Sequence, residues 1–518
     1  MRFVVFACPP RKMYFSFAIH SIFRNFGFAE LTWHSEMKRK SSFSFAFLSF
    51  FRNFAIKDGE LTPSRQKKKP VSLFCARFFV TLSAEMLSET MKQVVITIFL
   101  LCAAIGLQAQ TAYEEIMKDI HKSAGYHYAY PGPSQAHLTP APEGKKPFYL
   151  SHYGRHGSRH CTKADRYDVP YMMLAKADSL GKLTPLGKDV LRRVGIMRDE
   201  AYGRWGELTA IGAKQQRQIA RRMVERFPEV FEGDRTLDAK STTVVRCILS
   251  MENALMQISS MVPRLRIHHD ASNHDTYYMV YDDKPLKAHR MDSTVMARLK
   301  VYEDKYDHSE TLMKALFNDM DYVNKEVDGR KLANAIFELA SNLQDTETCR
   351  KITLYDLFTD EELYDHWKLQ NMQWYVKYGR CPLNGGKQPY AQRHLLRKMI
   401  EEADSCIRLE QPGPSLRYGH DSVLMPLLSL MGVNNYGLAT DNLDAVDKKG
   451  WVNYKGVAMG GNLQLVFYRS NPQDEDVLVQ VLLNENEATL PIKTDDAPYY
   501  HWNDVRDYYL KMLDEYQP

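Results

Sequence analysis

The stretch Phe148-Tyr-Leu-Ser-His152, followed by Tyr153-Gly-Arg-His-Gly-Ser-Arg-His160, decides the fold prediction for this chain. The first five residues form a short, mainly apolar run, which is typical of a β-strand. The residues that follow are polar and contain glycine, so they predict a loop after that strand. Loops at the carboxyl ends of strands are where α/β sheets bind ligands. The stretch therefore predicts a ligand-binding loop on an α/β sheet.

Helix and strand patterns alternate outward from this stretch. Apolar periodicity predicts helices at residues 169–180, 185–202, 209–227 and 243–261, and strands at 237–241, 265–268, 415–418, 462–469 and 477–483. Residues 276–405 are mostly helical in pattern, with few strand signals. We therefore expect an α/β protein with a Rossmann-like core sheet and an inserted, mainly helical cap domain. Residues 111–275 and 406–518 would form the two parts of the core, and residues 276–405 the cap.

Charge is distributed unevenly along the chain. The 518 residues carry a formal net charge of +5, yet residues 1–90 hold 14 Lys and Arg against 6 Asp and Glu, a net of +8. Residues 91–518 hold the remaining 54 against 57, a net of −3. Because the basic surplus lies outside the predicted body of the protein, we expect no nucleic-acid partner.

A leader pattern begins at Met91. A basic residue is followed by an almost wholly apolar run at residues 94–107 and a small residue at Ala109, which is typical of a secretory signal peptide. The apolar run is short for a transmembrane span. We therefore expect residues 1–90 to be non-native upstream sequence, residues 91–110 to be the signal peptide, and the exported chain to be periplasmic or extracellular. The alternative is a long extension with an internal membrane anchor.

Metal and redox sites have little support in the mature chain. Its five cysteines, at positions 161, 247, 349, 381 and 406, form no C-x-x-C pair, and their odd number leaves at least one without a partner in the chain. The run His268-His-Asp270 with His274-Asp275 has the composition of a metal cluster. Its spacing matches no zinc pattern, so we expect no metal there.

The loop Arg155-His-Gly-Ser-Arg159 carries residue types suited to phosphate chemistry. Guanidinium groups bind phosphate oxygens through paired hydrogen bonds, and a histidine between them can attack phosphorus and carry the phosphoryl group. Gly157 would let the backbone approach a ligand closely. We expect this loop to be polar and exposed; the alternative interpretation is a solvated basic loop without function.

The longer run Arg155-His-Gly-Ser-Arg-His-Cys-Thr-Lys163 resembles the Arg-His-Gly-x-Arg-x-Pro motif of the histidine acid phosphatases. These form the branch of the histidine phosphatase superfamily that includes phytases and multiple inositol polyphosphate phosphatases. Cys161 stands where the family has proline, which predicts a less rigid loop. The resemblance spans residues 147–492, with the later motifs in the family's order: Gly206-Glu-Leu-Thr-Ala-Ile-Gly212, Arg246 after Ser241-Thr-Thr-Val-Val, and His420-Asp421 before a helix.

The resemblance implies a role for each matching residue. His156 would be the nucleophile, and Asp421 would protonate the leaving oxygen and then help to activate water. The phosphoryl oxygens would be bound by Arg155, Arg159, Arg246 and His420. The family's reaction needs no metal or cofactor. Taken without the family, Arg246 could equally be a surface helix residue, and His420-Asp421 could be a helix cap.

The expected function is a secreted phosphomonoesterase acting on a small phosphorylated molecule. Residues 355–379 resemble the cap of the inositol polyphosphate phosphatases, whereas many of those have His-Ala-Glu where this chain has the His-Asp of the phytases. We expect inositol polyphosphates including phytate as substrates, with Lys163 and Arg166 binding phosphates beyond the one cleaved. The alternatives are a broad-specificity acid phosphatase for sugar or small phosphomonoesters and, more remotely, a non-catalytic surface binding protein.

Overall fold

Eight strands form one mixed sheet in the computed structural model, which describes residues 111–517. Their order across the sheet is β3-β2-β4-β1-β5-β6-β7, and β8 also pairs with β6. The predicted upstream sequence and signal peptide lie outside the described residues. The strands are β1 Lys146–Arg155, β2 Thr236–Ser241, β3 Arg266–Asp270, β4 Ser415–Gly419, β5 Asn462–Arg469, β6 Leu478–Leu483, β7 Asn486–Ala488 and β8 Tyr499–His501.

The sheet changes from parallel to antiparallel pairing at β1. Strands β3, β2, β4 and β1 are parallel to one another, whereas β5 runs antiparallel to β1. Register places Arg155, the last residue of β1, opposite Gly419, the last residue of β4. The carboxyl ends of the parallel strands therefore meet at one edge of the sheet, where ligand sites of α/β proteins form.

Helices pack on the sheet and extend beyond it. The α-helices of seven or more residues are α1 Ala112–Lys118, α2 Asp165–Ser179, α3 Pro185–Ala201, α4 Ala210–Arg226, α6 Val245–Met261, α8 Lys284–Arg290, α9 Ser293–Lys305, α10 Ser309–Leu316, α11 Met320–Glu326, α12 Gly329–Leu343, α13 Asp360–Tyr378, α14 Arg393–Ile407, α15 Asp421–Met431 and α17 Trp502–Asp514, and a 3-10 helix spans Ile120–His127. The single turns are α5 Pro228–Phe231, α7 Thr276–Met279 and α16 Asn453–Gly456. The predicted α/β class, a central sheet with many helices, is confirmed.

Local sequence signals explain several helix ends. Thr209 caps α4 by accepting a hydrogen bond from the backbone N–H of Gly212, as its position before the amphipathic run predicts. Gly432 ends α15 in the left-handed conformation, with φ +67°. Helix α15 begins at Asp421 and continues through Pro426.

Three large apolar clusters organise the helices, and the third packs α4, α5 and α6 against the sheet. One joins the sheet to α15 and α17 and also to residues of α9, α13 and α14. Another joins α2 and α3 to α10 and α12, with Tyr355 and Leu363. The helices after β1 therefore share a core with helices of the 276–405 segment. The division of the chain at residues 275 and 405 stays a prediction, and the apolar clusters run across both positions.

Over residues 111–517, no helix combines the length and the apolar character needed to cross a bilayer.

Candidate active site

The predicted site residues lie together, just after the carboxyl ends of three neighbouring parallel strands, β2, β4 and β1. His156 follows β1, and His420 with Asp421 follows β4. Arg246 lies in the first turn of α6, which begins four residues after β2 ends. The rings of His156 and His420 are 5.9 Å apart between centroids. The structure thus brings together residues that are up to 266 positions apart in the chain.

The loop after β1 is buried, which corrects the expectation of an exposed loop. Residues 155–161 are all buried, and His156 is only 1% exposed. The backbone N–H of His156 donates to Gly419 at the end of β4, and its carbonyl accepts from Gly460. Packing against the strand ends and a neighbouring turn covers the loop, which neither its polarity nor its glycine reveals. His156 is therefore fixed at its backbone on both sides.

Gly157 is required by packing within the protein rather than by an approaching ligand. A side chain at Gly157 would overlap the backbone of Gly212 in α4, and one at Gly212 would overlap the backbone of Ser158. The two glycines therefore allow the loop to lie directly on the first turn of α4. This contact explains why the Arg-His-Gly and Leu-Thr-x-x-Gly segments occur together in this chain.

The ring of His156 has a defined orientation. Its Nδ1 lies 2.9 Å from the carbonyl oxygen of Gly157, which only a protonated Nδ1 can satisfy by donating. The lone pair of the neutral ring is then on Nε2. Burial lowers the pKa of His156 well below its usual value, and Arg155, Arg246 and Arg159 lower it further. The geometry therefore presents an uncharged imidazole with a free Nε2.

Three arginines surround this imidazole with unused hydrogen-bond donors. Arg155 is fully buried and donates through Nη1 to the carbonyls of Tyr126 and Val457, each at 2.5 Å. The Nε atoms of Arg155, Arg159 and Arg246 are buried, and among residues 111–517 none of them has an acceptor. Buried donors without acceptors are costly, so the cluster suits an oxyanion that would accept from them.

Asp421 and His420 lie against the same cluster. The Asp421 carboxylate pairs with Nη2 of Arg155 at 2.5 Å. Burial would raise the pKa of Asp421, but Arg155 and Arg159 outweigh burial and hold it below its ordinary value. Burial, followed by Arg246, lowers the pKa of His420 to about 4. His420 is therefore a neutral ring near neutral pH, with Nε2 3.2 Å from the hydroxyl of Thr242.

Lys163 and Arg166 lie outside the buried cluster, on exposed positions at the start of α2. Arg166 donates to Glu338 of α12 at 2.6 Å. Lys163 has no carboxylate within 4 Å in the part of the chain that the structure describes. Of the two, Lys163 is the cation with its charge unpaired.

Cys161 changes how the loop is held. Its backbone N–H donates to the hydroxyl of Tyr167 at 2.9 Å, a bond that proline could not form, and its thiol lies 3.2 Å from Asn342. These contacts hold the loop at the position where the family has proline, and the lower rigidity stays a prediction. All five cysteines of the described chain are unpaired.

The histidine-rich run at residues 268–275 is divided between different partners. His268 pairs with Asp238 at 2.6 Å, and its neighbour His269 pairs with Glu252 at 2.9 Å. Successive residues of a strand face opposite ways, which separates these two imidazoles. Over residues 111–517, no group of three or more His, Cys, Asp or Glu side chains is arranged to hold a metal ion.

The structure shows a buried polar network behind the loop that carries His156, and no sequence pattern predicted it. Asp345, just after α12, is fully buried and accepts from the hydroxyl of Ser158 at 2.6 Å. His127, which is 218 positions from Asp345 in the chain, lies beside it. Neither residue belongs to a motif, and only the fold brings them together.

The comparisons with known proteins agree with this geometry. The sequence profile of the histidine phosphatase superfamily, branch 2, matches residues 154–484. A multiple inositol polyphosphate phosphatase from Bifidobacterium longum, solved with inositol hexasulfate, has 16% sequence identity and a TM-score of 0.65, over 75% of this chain and 97% of that one. The phytase from D. castellii has 14% identity and a TM-score of 0.56, over 76% and 86%. No curated protein sequence matches the chain.

The profile covers more than half of the chain and both halves of the site, from the strand before His156 to beyond Asp421. The two solved structures share the fold of an α/β sheet with added helices. The chain therefore belongs to branch 2 of the histidine phosphatase superfamily and is a phosphoric monoester hydrolase.

Proposed function

We propose that this enzyme transfers a phosphoryl group to His156 and then to water, and that its substrates are inositol polyphosphates including phytate. The single observation that carries the proposal is the uncharged His156 ring, with Nε2 free, inside three arginines that retain unused buried donors. Metal ions and cofactors have no part in the proposed steps.

In the first step, the substrate phosphoryl group lies among Arg155, Arg159 and Arg246. Nε2 of His156 attacks phosphorus, an N–P bond forms, and the P–O bond to the leaving group breaks. The leaving oxygen takes a proton from Asp421. The arginines stabilise the charge on the non-bridging oxygens through donors that are already in place, which lowers the barrier without reorganisation.

In the second step, water attacks the phosphohistidine. The carboxylate of Asp421 accepts a proton from the water as the new O–P bond forms, and the N–P bond breaks. Inorganic phosphate leaves, and His156 and a protonated Asp421 are restored. Asp421 thus acts as an acid and then as a base.

Bound phosphate would also prepare Asp421 for its first role. In the unoccupied site, Arg155 holds the pKa of Asp421 low by direct pairing. A phosphoryl dianion between the arginines offsets part of their positive charge, so the proton affinity of Asp421 rises when substrate binds. This coupling allows a carboxylate that is ionised in the free enzyme to be a proton donor in the complex.

Unpaired cations on the leaving-group side favour a substrate with several phosphates. Arg290 stacks on the ring of Tyr378, with its guanidinium carbon 5.1 Å from the ring centroid. Burial, followed by the negative charge of Asp421, raises the pKa of Tyr378 to about 12, so this ring lies within electrostatic range of the proposed acid. In the described chain, neither Arg290 nor the neighbouring Lys377 has a carboxylate within 4 Å. A broad-specificity phosphatase would have less use for such charges.

Removing the charges of Lys163 and Arg166 should distinguish the two substrate classes. We expect the double variant Lys163→Gln/Arg166→Gln to raise KM for phytate about 30-fold, because two lost charge–phosphate contacts of about 1 kcal/mol each total about 2 kcal/mol. KM for p-nitrophenyl phosphate should change much less, since its single phosphate is bound by the buried arginines. Steady-state kinetics with both substrates measure the difference.

The matched control is Arg506→Gln/Lys511→Gln on α17, which removes the same two kinds of charge from a half-buried and an exposed position of another helix. It should leave both KM values unchanged. Equal effects of the Lys163/Arg166 variant on both substrates would argue for the broad-specificity alternative.

We also propose that the enzyme is exported, with its mature chain beginning near Gln110. The leader pattern at residues 91–110 supports this, and the profile match begins well after it. Intact-mass measurement of the protein recovered outside the cytoplasm should give a chain that starts within a few residues of Gln110. A product that retains residues 1–90 would contradict the proposal.

A further inference from the structure

Beneath the loop that carries His156, a buried carboxyl is held by donors on both oxygens. The side chain of Asp345 is completely buried. Its Oδ1 lies 2.6 Å from the hydroxyl of Ser158, and its Oδ2 lies 3.0 Å from Nδ2 of Asn342. Ser158 lies between Gly157 and Arg159 in the loop that carries His156, so Asp345 contacts the loop directly.

The directions of these hydrogen bonds are fixed by other groups. Gln215 accepts from the backbone N–H of Ser158, so its amide nitrogen must be the group that donates to the Ser158 hydroxyl. That hydroxyl can then only donate onward to Asp345. Asn342 donates to the carbonyl of Arg159, which fixes its amide as the donor to Oδ2. Both carboxylate oxygens therefore accept hydrogen bonds from their neighbours.

His127 is the remaining group beside this carboxyl. Its Nδ1 lies 3.8 Å from Oδ2 of Asp345, and its side chain is 2% exposed. Neither ring nitrogen has a hydrogen-bond partner in the described residues. If Asp345 takes up a proton, Oδ2 can hold it only on the side towards His127, because its other neighbours are donors.

We propose that His127 and Asp345 share a proton site that is coupled to the active site, so that the pair takes up one proton when an oxyanion binds between Arg155 and Arg159. The proposal rests on the proposed function, because it assigns the oxyanion to those arginines. The proton comes from solvent, a new O–H bond forms at the Asp345 carboxyl, and the net charge of the pair changes from −1 to 0.

The charges around the pair determine where the proton resides. Burial raises the pKa of Asp345 to about 7, against the opposing effects of Ser158, Arg159 and Arg155. Burial, followed by Arg159, Arg155 and Arg166, lowers the pKa of His127 well below its usual value. The proton therefore belongs on the carboxyl, and the imidazole stays neutral. The ionisable groups that face the pair are Arg155 of β1, Arg159 and Cys161 of the loop, Arg166 of α2, Cys349 and Tyr355.

Oxyanion binding raises the proton affinity of the pair. A bound dianion brings negative charge to Arg155 and Arg159, which are the cations that stabilise ionised Asp345. The occupied site therefore holds the proton more tightly than the free site. By linkage, oxyanion affinity is highest below the pKa of the free pair and falls as pH rises through it, by at most about tenfold per pH unit for one proton.

Inorganic sulfate is a suitable probe, because it stays a dianion over the whole range. Isothermal titration calorimetry of the full mature enzyme at about pH 7.5, in buffers of different ionisation enthalpy, should show uptake of a substantial fraction of one proton per sulfate. The sulfate Kd should rise several-fold from about pH 6.5 to about pH 8.5. Sulfate binding without proton uptake would overturn this inference and leave the proposed function standing. Absence of sulfate binding would overturn both.

Variants identify the groups responsible. Asp345→Asn should take up fewer protons per sulfate than the unmodified enzyme, because only uptake at Asp421 remains, and its sulfate Kd should depend correspondingly less on pH in this range. His127→Gln should move the midpoint of the pH dependence. Asp365→Asn, which removes another His–Asp pair in which His308 lies 2.8 Å from the carboxylate, should behave as the unmodified enzyme. If the pH dependence of the sulfate Kd were unchanged in either Asp345→Asn or His127→Gln, the proton uptake could not be assigned to the His127–Asp345 pair.

Discussion

Replacing His156 with alanine should reduce turnover of every substrate by about 10⁴-fold or more, which is the scale on which enzymes lose activity with their nucleophile. The phosphoryl group would then have no nitrogen to accept it, and water cannot occupy the same fixed position. Single-turnover and steady-state assays with phytate and p-nitrophenyl phosphate should show the same loss, because the attack on phosphorus is common to both.

The fold should survive this change, although His156 is buried. Its side chain contributes one hydrogen bond to the neighbouring carbonyl of Gly157, while the loop is held by backbone bonds to Gly419 and Gly460 that alanine keeps. Sulfate binding through the arginines should therefore remain in His156→Ala. Substantial activity in a folded His156→Ala enzyme would exclude His156 as the nucleophile.

Replacing Asp421 with asparagine should damage the enzyme to an extent that depends on the leaving group. An inositol alkoxide is a poor leaving group unless it is protonated as the P–O bond breaks, and a positioned acid contributes about 10²–10⁴-fold. A p-nitrophenolate is already stable as an anion. We therefore expect the phosphorylation rate to fall by about 10²–10⁴-fold with phytate and much less with p-nitrophenyl phosphate.

Rapid-quench measurement of the phosphorylation step separates this effect from slow hydrolysis of the phosphohistidine. The variant also loses the ion pair with Arg155, so some loss common to both substrates is expected. Ser422→Ala is a suitable control, because it changes the adjacent residue of α15 and keeps the carboxylate. Equal losses with both substrates in Asp421→Asn would mean that Asp421 positions Arg155 or the loop and that another group supplies the proton.

Most of the sheet edge that forms the site could be predicted from local sequence. The apolar run 148–152 and the polar residues after it predicted a strand followed by a ligand-binding loop; the strand forms, but β1 continues through the first three predicted loop residues and ends at Arg155. Strand β5 has the predicted limits of 462–469, and Thr209 caps α4 as expected. These features depend on residues close together in the chain, which is why periodicity and capping rules describe them.

Burial of the loop could not be predicted in the same way. Polar residues are usually exposed, yet Arg155 and His156 are covered by Gly460, Gly212 and the end of β4, which come from distant parts of the chain. The same applies to Asp345 and His127, whose significance arises from their contact with each other. Helices α2 and α3 lie within the segment that we predicted to be core, residues 111–275, but they pack against α10 and α12 of the predicted cap. Contacts between distant segments determine which helices pack together, and local sequence does not show them.

Trapping the phosphoryl-enzyme is the most direct test of the central claim. The enzyme should be mixed with phytate labelled with ³²P, quenched in alkali within one turnover, digested, and examined for the labelled peptide. We predict about one acid-labile, alkali-stable phosphate per active site, attached to His156, and none in the His156→Ala variant. Label on another residue, or steady turnover with no covalent phosphate at any time, would contradict the proposed mechanism.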